Sequence, residues 1–159
     1  MKPDDKTRLK LRFICRVVTK EVRLLLDTRR RLFVPAFNAA MLKQLDQYPD
    51  WADRIESFVA RFGRLQDTAG DKLLPMLLAA LGERIASVSD NLDRAERLGL
   101  IPSADQWFAM RSLRNQMVHE YVEDPEILWG ALQAAHDFSV PLAQTAEGMV
   151  IEIERRGWL

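Results

Sequence analysis

Trp51-Ala-Asp-Arg-Ile-Glu-Ser-Phe-Val-Ala-Arg-Phe-Gly-Arg-Leu-Gln-Asp-Thr-Ala-Gly-Asp-Lys-Leu-Leu-Pro-Met-Leu-Leu-Ala-Ala-Leu81 is the longest patterned stretch of this 159-residue chain. Ile55, Phe58, Val59, Phe62 and Leu65, then Leu73, Leu74, Leu77 and Leu78 beyond Gly70-Asp71, recur at helical spacing and make a wide apolar stripe. Asp50 stands where an N-cap belongs, Pro75 is predicted to bend the helix rather than end it, and Gly82 is a stop signal. A stripe this wide must be covered by other helices, so the reading of this stretch sets the fold class as all-α.

The flanking sequence supplies those helices. Upstream, Leu9, Phe13, Val17, Val18, Val22 and Leu25 follow helical spacing over residues 7–30. Arg8-Leu-Lys-Leu-Arg-Phe13 also alternates with period two, but a single strand would find no partner in this chain. Pro35 stops that helix, and Asn38 caps a short one ending before Tyr48-Pro49. Downstream, Ser89 opens a helix over Asp90–Leu98, with Gly99 at its left-handed C-cap. Ser103 and Gln106 form a capping box for a helix running to about Val122. Asp124-Pro125 starts the last helix, which Pro141 is predicted to interrupt and which ends at Arg156-Gly157. The sum is one domain over 1–159: an antiparallel four-helix bundle core at 50–156, short accessory helices, and a basic N-terminal helical arm at 1–48.

Charge is uneven along the chain. Residues 1–44 hold 12 Lys/Arg against 4 Asp/Glu, and the remainder holds 11 against 19, so the formal net charge is zero. A basic face of this kind suits an acidic partner, nucleic acid or protein, or is simply a solvated helix surface. No apolar run reaches the ~20 residues of a membrane span, and the basic residues of the first twenty do not suit a secretory signal. Cys15 is the only cysteine, which fits a buried inert thiol and a reducing cytoplasm.

Chemistry concentrates in Arg111-Ser-Leu-Arg-Asn-Gln-Met-Val-His-Glu-Tyr121. At roughly 100° per residue Trp107, Arg114 and Tyr121 fall on one line, with Met110, Met117 and Val118 on either side. Arg114 therefore interrupts an apolar stripe, a place that calls for a carboxylate, phosphate or interface partner. Glu56, Asp67 and Glu83 are the acids that would make it a structural residue. Asn115 and His119 are four apart and share an adjacent face, where His119 would equally suit a solvated helix C-terminus. His136 lies mid-helix without polar companions and reads as structural. Two histidines seventeen residues apart and a distant cysteine give no zinc spacing, and no glycine-rich nucleotide loop is present, so neither metal nor cofactor is expected. Gly63 and Gly70 read as relief for helix packing.

Arg114-Asn115-Gln-Met-Val-His119-Glu-Tyr121 resembles the R-x4-H-x-Y motif of HEPN domains, in particular the HepT-like toxin branch. The stretches Ser57–Pro75 and Asn91–Pro102 resemble segments of a subset of HepT-like proteins, extending the likeness over about residues 50–140. The resemblance implies a bundle that dimerises and joins two Arg–His motifs in one cleft. It also implies a metal-independent endoribonuclease, the toxin of a toxin–antitoxin pair, neutralised by a minimal nucleotidyltransferase that in some members transfers AMP to the motif tyrosine, here Tyr121. With RNA as substrate, His119 is expected to move protons, Arg114 to bind the scissile phosphate, Asn115 to orient either, and Arg111 to add phosphate binding. A non-catalytic subunit that docks a nucleotidyltransferase through Arg114 and Tyr121 is the alternative, and a plain interaction module the third reading.

Overall fold

The computed structural model describes residues 2–120 and 124–159, with Glu120 described by its backbone alone. Every regular element among them is helical, and they pack as a helical bundle: α1 (Asp5–Leu32), α2 (Ala39–Leu42), α3 (Pro49–Asp67), α4 (Leu74–Ala80), α5 (Val88–Arg97), α6 (Ala104–Glu120) and α7 (Pro125–Arg155). Long helix α1 packs on α3 and α7, while α6 packs on α7 and α3. The alternation at residues 8–13 is thus helical, and its even positions are solvent-exposed or half-buried while Leu11, Ile14 and Val18 point inward. The segment expected as a basic arm, residues 1–48, holds α1 and α2, and Leu11, Ile14, Val18, Val22, Leu25 and Leu32 of α1 belong to the same core as Phe58, Phe62 and Leu65 of α3. None of the described helices is long and apolar enough to cross a membrane.

Several start and stop signals move by a residue or two. Pro49 occupies the first turn of α3, which places Asp50 inside that turn rather than at its cap; a proline lacks the N–H that a cap would otherwise have to satisfy. Ser87, not Ser89, caps α5, because its hydroxyl accepts the Asp90 N–H at 3.1 Å. Asp124 caps α7 as expected, accepting from the Glu126 and Ile127 amides. Gly82, Gly99 and Gly157 close their helices with positive φ.

The two internal prolines are accommodated differently. Ahead of Pro75 the chain makes a π-helical turn over Thr68–Leu73, with the Leu74 N–H reaching the Ala69 carbonyl. Pro75 has no N–H for the Asp71 carbonyl and its ring would crowd that carbonyl, so a widened turn relieves both problems. Pro141 was expected to interrupt the last helix, yet α7 runs unbroken from Pro125 to Arg155. The cost of an internal proline, ~3 kcal/mol, is outweighed by burying Leu142, Met149, Val150 and Ile153 beyond it, at roughly 1.5–3 kcal/mol each. One turn earlier the His136 carbonyl takes the Ser139 hydroxyl at 2.7 Å and Arg29 Nε at 3.1 Å.

Two ionisable groups lie in the α1 interface. Burial, with the Glu154 charge adding to it, pushes the Cys15 thiol up to about 11, which keeps it an unreactive thiol at neutral pH. Glu21 accepts the Thr68 hydroxyl on Oε1 at 3.1 Å, while Oε2 is buried without a hydrogen-bond partner among the described residues. Burial raises the Glu21 carboxyl above the ordinary range, against the pull of Thr68, Arg64 and Lys72. Folded protein then binds more protons than unfolded in the window just above that ordinary range, so this contribution to stability falls as pH rises through it. Glu21→Gln is expected to raise the melting temperature at neutral pH, with the difference closing in acid. A gain of equal size at both pH values would contradict the assignment to Glu21 ionisation.

Candidate functional site

The helix that carries the motif is positioned before its chemistry begins. Ser103 accepts the Gln106 N–H at 3.1 Å, and the Ala104 N–H donates to Glu96 Oε1 at 2.9 Å, so both local capping and α5 hold its start. Trp107, Met110, Leu113 and Met117 are buried and fix which side of α6 faces inward. Trp107 lies over Gly70, where a Cβ would come within 2.8 Å of the indole ring. Buried Gln66 donates its side-chain amide to the Trp107 carbonyl at 3.3 Å. These contacts set α6 running opposite to α3, with Trp107 beside residues 66–70 and Met117 beside residues 56–60.

Arg114 sits at the inner edge of this interface, half-buried as the projection predicts. Of the three acids considered for it, Asp67 is the partner, its Oδ1 2.5 Å from Arg114 Nη1. Glu83 pairs instead with Arg94, and Glu56 lines the neighbouring groove. Gly63 makes the approach possible, since a Cβ there would stand 2.6 Å from Arg114 Nε. One turn earlier Arg111 lies 3.9 Å from Asp71, across the π-helical turn. Two cations of α6 thus meet two acids of the facing helix in antiparallel order, and both pairs are partly exposed. Beyond Arg114 an open groove continues between Glu56, Val59 and Ala60 on one side and Met117 and Val118 on the other. Val118 is 55% exposed, so the apolar line is left uncovered at this end of the helix.

Asn115 and His119 are exposed. They lie about 100° and 140° around the helix from Arg114, so a single copy does not gather arginine and histidine on one face. Among the described residues no hydrogen bond joins Asn115 to His119. Tyr121 lies outside the described residues. Phe108, 37% exposed, shares the outer face with Asn115 and His119, being seven and eleven residues before them. Sequence reading passed over Phe108 because an aromatic next to Trp107 in an apolar stretch reads as core. Asp71 was missed too, since only the π-helical turn brings it to Arg111. His136 has its ring 4.6 Å from that of Phe33 and its Nδ1 3.0 Å from Asp137, away from this site. Among the described residues no group of three His, Cys, Asp or Glu side chains could hold a metal ion.

No protein-family model matches this chain, and neither a curated protein nor a solved structure does.

Proposed function

We propose that this chain is a HEPN-type, HepT-like toxin that cleaves RNA without a metal and is neutralised in the cytoplasm by a minimal nucleotidyltransferase. In this reading α1, α3, α6 and α7 are the members of an antiparallel four-helix bundle. The observation that carries the proposal is Arg114 itself: a guanidinium held at the edge of an apolar interface by Asp67 and a glycine-sized gap, inside the spacing Arg114…His119-x-Tyr121. Asp67 holds one nitrogen of the planar fork, and Arg114 also lines the open groove, where a phosphate would meet it.

The chemistry follows from that placement. The 2′-oxygen of RNA attacks the adjacent phosphorus as one imidazole takes its proton, and the bond from phosphorus to the 5′-oxygen breaks as a second imidazole returns a proton. Arg114 stabilises the charge that develops on the non-bridging oxygens. One chain offers one His119, well round the helix from its own Arg114, so both transfers need a second copy and the active unit is a homodimer. Purified protein is expected to cleave RNA in excess EDTA and to sedimentate or scatter as a dimer. EDTA-sensitive cleavage, or full activity in a strict monomer, would count against this mechanism.

The non-catalytic reading has its own support. Arg114 and Arg111 already face Asp67 and Asp71, so part of their charge is compensated before any substrate arrives. A docking subunit would use Arg114 and Tyr121 against a nucleotidyltransferase, with the groove that Arg114 and Val118 line as contact surface. Absence of cleavage together with a stable complex with such a partner would favour it.

A further inference from the structure

The basic face of α1 has no part in the site above. Arg12, Arg16, Lys20 and Arg23 are exposed and lie within an arc of about 80° on the side opposite the buried face. They form a line roughly 16 Å long at steps of about one helical turn. Among the described residues none of the four forms an ion pair, whereas Arg30 and Arg31 on the same face both bind Asp27. Like charges at these spacings repel one another and destabilise the helix slightly. The stripe borders a groove walled by Val150 and Glu154 of α7, while the Arg114 groove is walled by α3. It is a separate surface.

At its N-terminal end the stripe meets exposed apolar side chains. Leu9 is 63% and Phe13 59% exposed, and Phe13 lines a second groove with Lys10, Lys72, Pro75 and Met76, where the one acid is Asp71, already paired with Arg111. An aromatic face set among cations that continue in a line suits a flexible polyanion carrying flat bases. Guanidinium forks favour phosphate oxygens, and helical-turn spacing matches successive phosphates of one strand better than the clustered side chains of an acidic protein.

We propose that the Arg12–Arg23 stripe and Phe13 form a binding track for single-stranded RNA, phosphates along the arginines and a base on the Phe13 ring. The inference rests on the RNA reading of the motif but uses none of its residues. It makes α1 the element that recruits substrate and leaves α6 to cut it.

Binding can be separated from cutting by working in His119→Ala protein, with a labelled oligouridylate of about twelve nucleotides followed by fluorescence anisotropy. The affinity is expected to fall with salt, and Arg16→Gln/Arg23→Gln to lower the slope of log K against log salt by about 1.4, two lost phosphate contacts. Phe13→Ala is expected to weaken binding roughly tenfold, one lost stacking contact. All three side chains are exposed and the arginines repel one another, so melting temperatures should not fall, which circular dichroism checks. Unchanged RNA affinity in either variant overturns the proposal. So does displacement by polyglutamate or phosphatidylserine vesicles as effective as displacement by unlabelled RNA. A wild type that cleaves RNA while the track variants bind normally would sink this inference and leave the nuclease reading standing; track-dependent binding without cleavage in any protein would do the reverse.

Discussion

His119→Ala protein is expected to cleave RNA about a hundred to ten thousandfold more slowly than wild type, the range over which a positioned general acid or base acts. Its folding should be untouched, because His119 is exposed and near the end of α6. Arg114→Ala should lose cleavage as severely, but through a different route and with a structural signature. It removes the partner of Asp67 and empties the space that Gly63 leaves. Arg114→Lys is the informative companion: an ammonium restores the charge opposite Asp67 but not the planar fork, so stability should recover further than activity. If wild type cleaves no faster than His119→Ala or Arg114→Ala, the nuclease reading is lost and the docking reading takes its place. Recovery of full activity by lysine would remove the bidentate role given to Arg114.

Trp107→Ala is expected to cost about 3–5 kcal/mol, the range for truncating a buried aromatic side chain. Trp107 is 3% exposed and occupies the close approach over Gly70. The reciprocal change, Gly70→Ala, should cost about 1–3 kcal/mol, because its Cβ would meet a rigid ring rather than a flexible chain end. Combined, the two should be far from additive: once the ring is gone the three atoms nearest to the new Cβ are gone with it, and a helix-favouring alanine replaces glycine. Denaturant unfolding of the two single variants and the double variant measures this coupling. Additive losses would show that Gly70 matters for its backbone freedom and not for the indole above it.

What could be read without coordinates follows from what local sequence encodes. The periodicity of Ile55 to Leu78 and the capping acid Asp124 report on helix faces and ends through neighbouring residues, so the all-α class and the Gly82, Gly99 and Gly157 stops were legible, and of the inward side of α6 Trp107, Met110 and Met117 were, while Val118 is exposed and Leu113 was overlooked. Arg114 at an apolar edge was legible for the same reason. Its choice of Asp67 over Glu56 and Glu83 was not, since that depends on the register between two helices 47 residues apart in the chain. Pro141 shows the opposite limit: a strong local breaker is overridden when the buried face beyond it is rich in leucine, methionine and isoleucine. The π-helical turn had a local cause in Pro75, but its consequence for Asp71 and Arg111 is tertiary.

That wide turn also sets the phase of everything after it. A π-helical turn holds one residue more than an α-helical turn, so if Thr68–Leu73 were wound as regular α-helix with no residue removed, the extra residue would advance everything after it. The downstream side chains would then swing by roughly 100°. Leu73, Leu74, Leu77 and Leu78 would leave the core, and Asp71 would leave Arg111. The extra residue works as a vernier between two rigid rods: it lets the half that grips Arg114 and packs on α1 and the leucine-rich half that follows each keep its own angular setting in a single continuous helix.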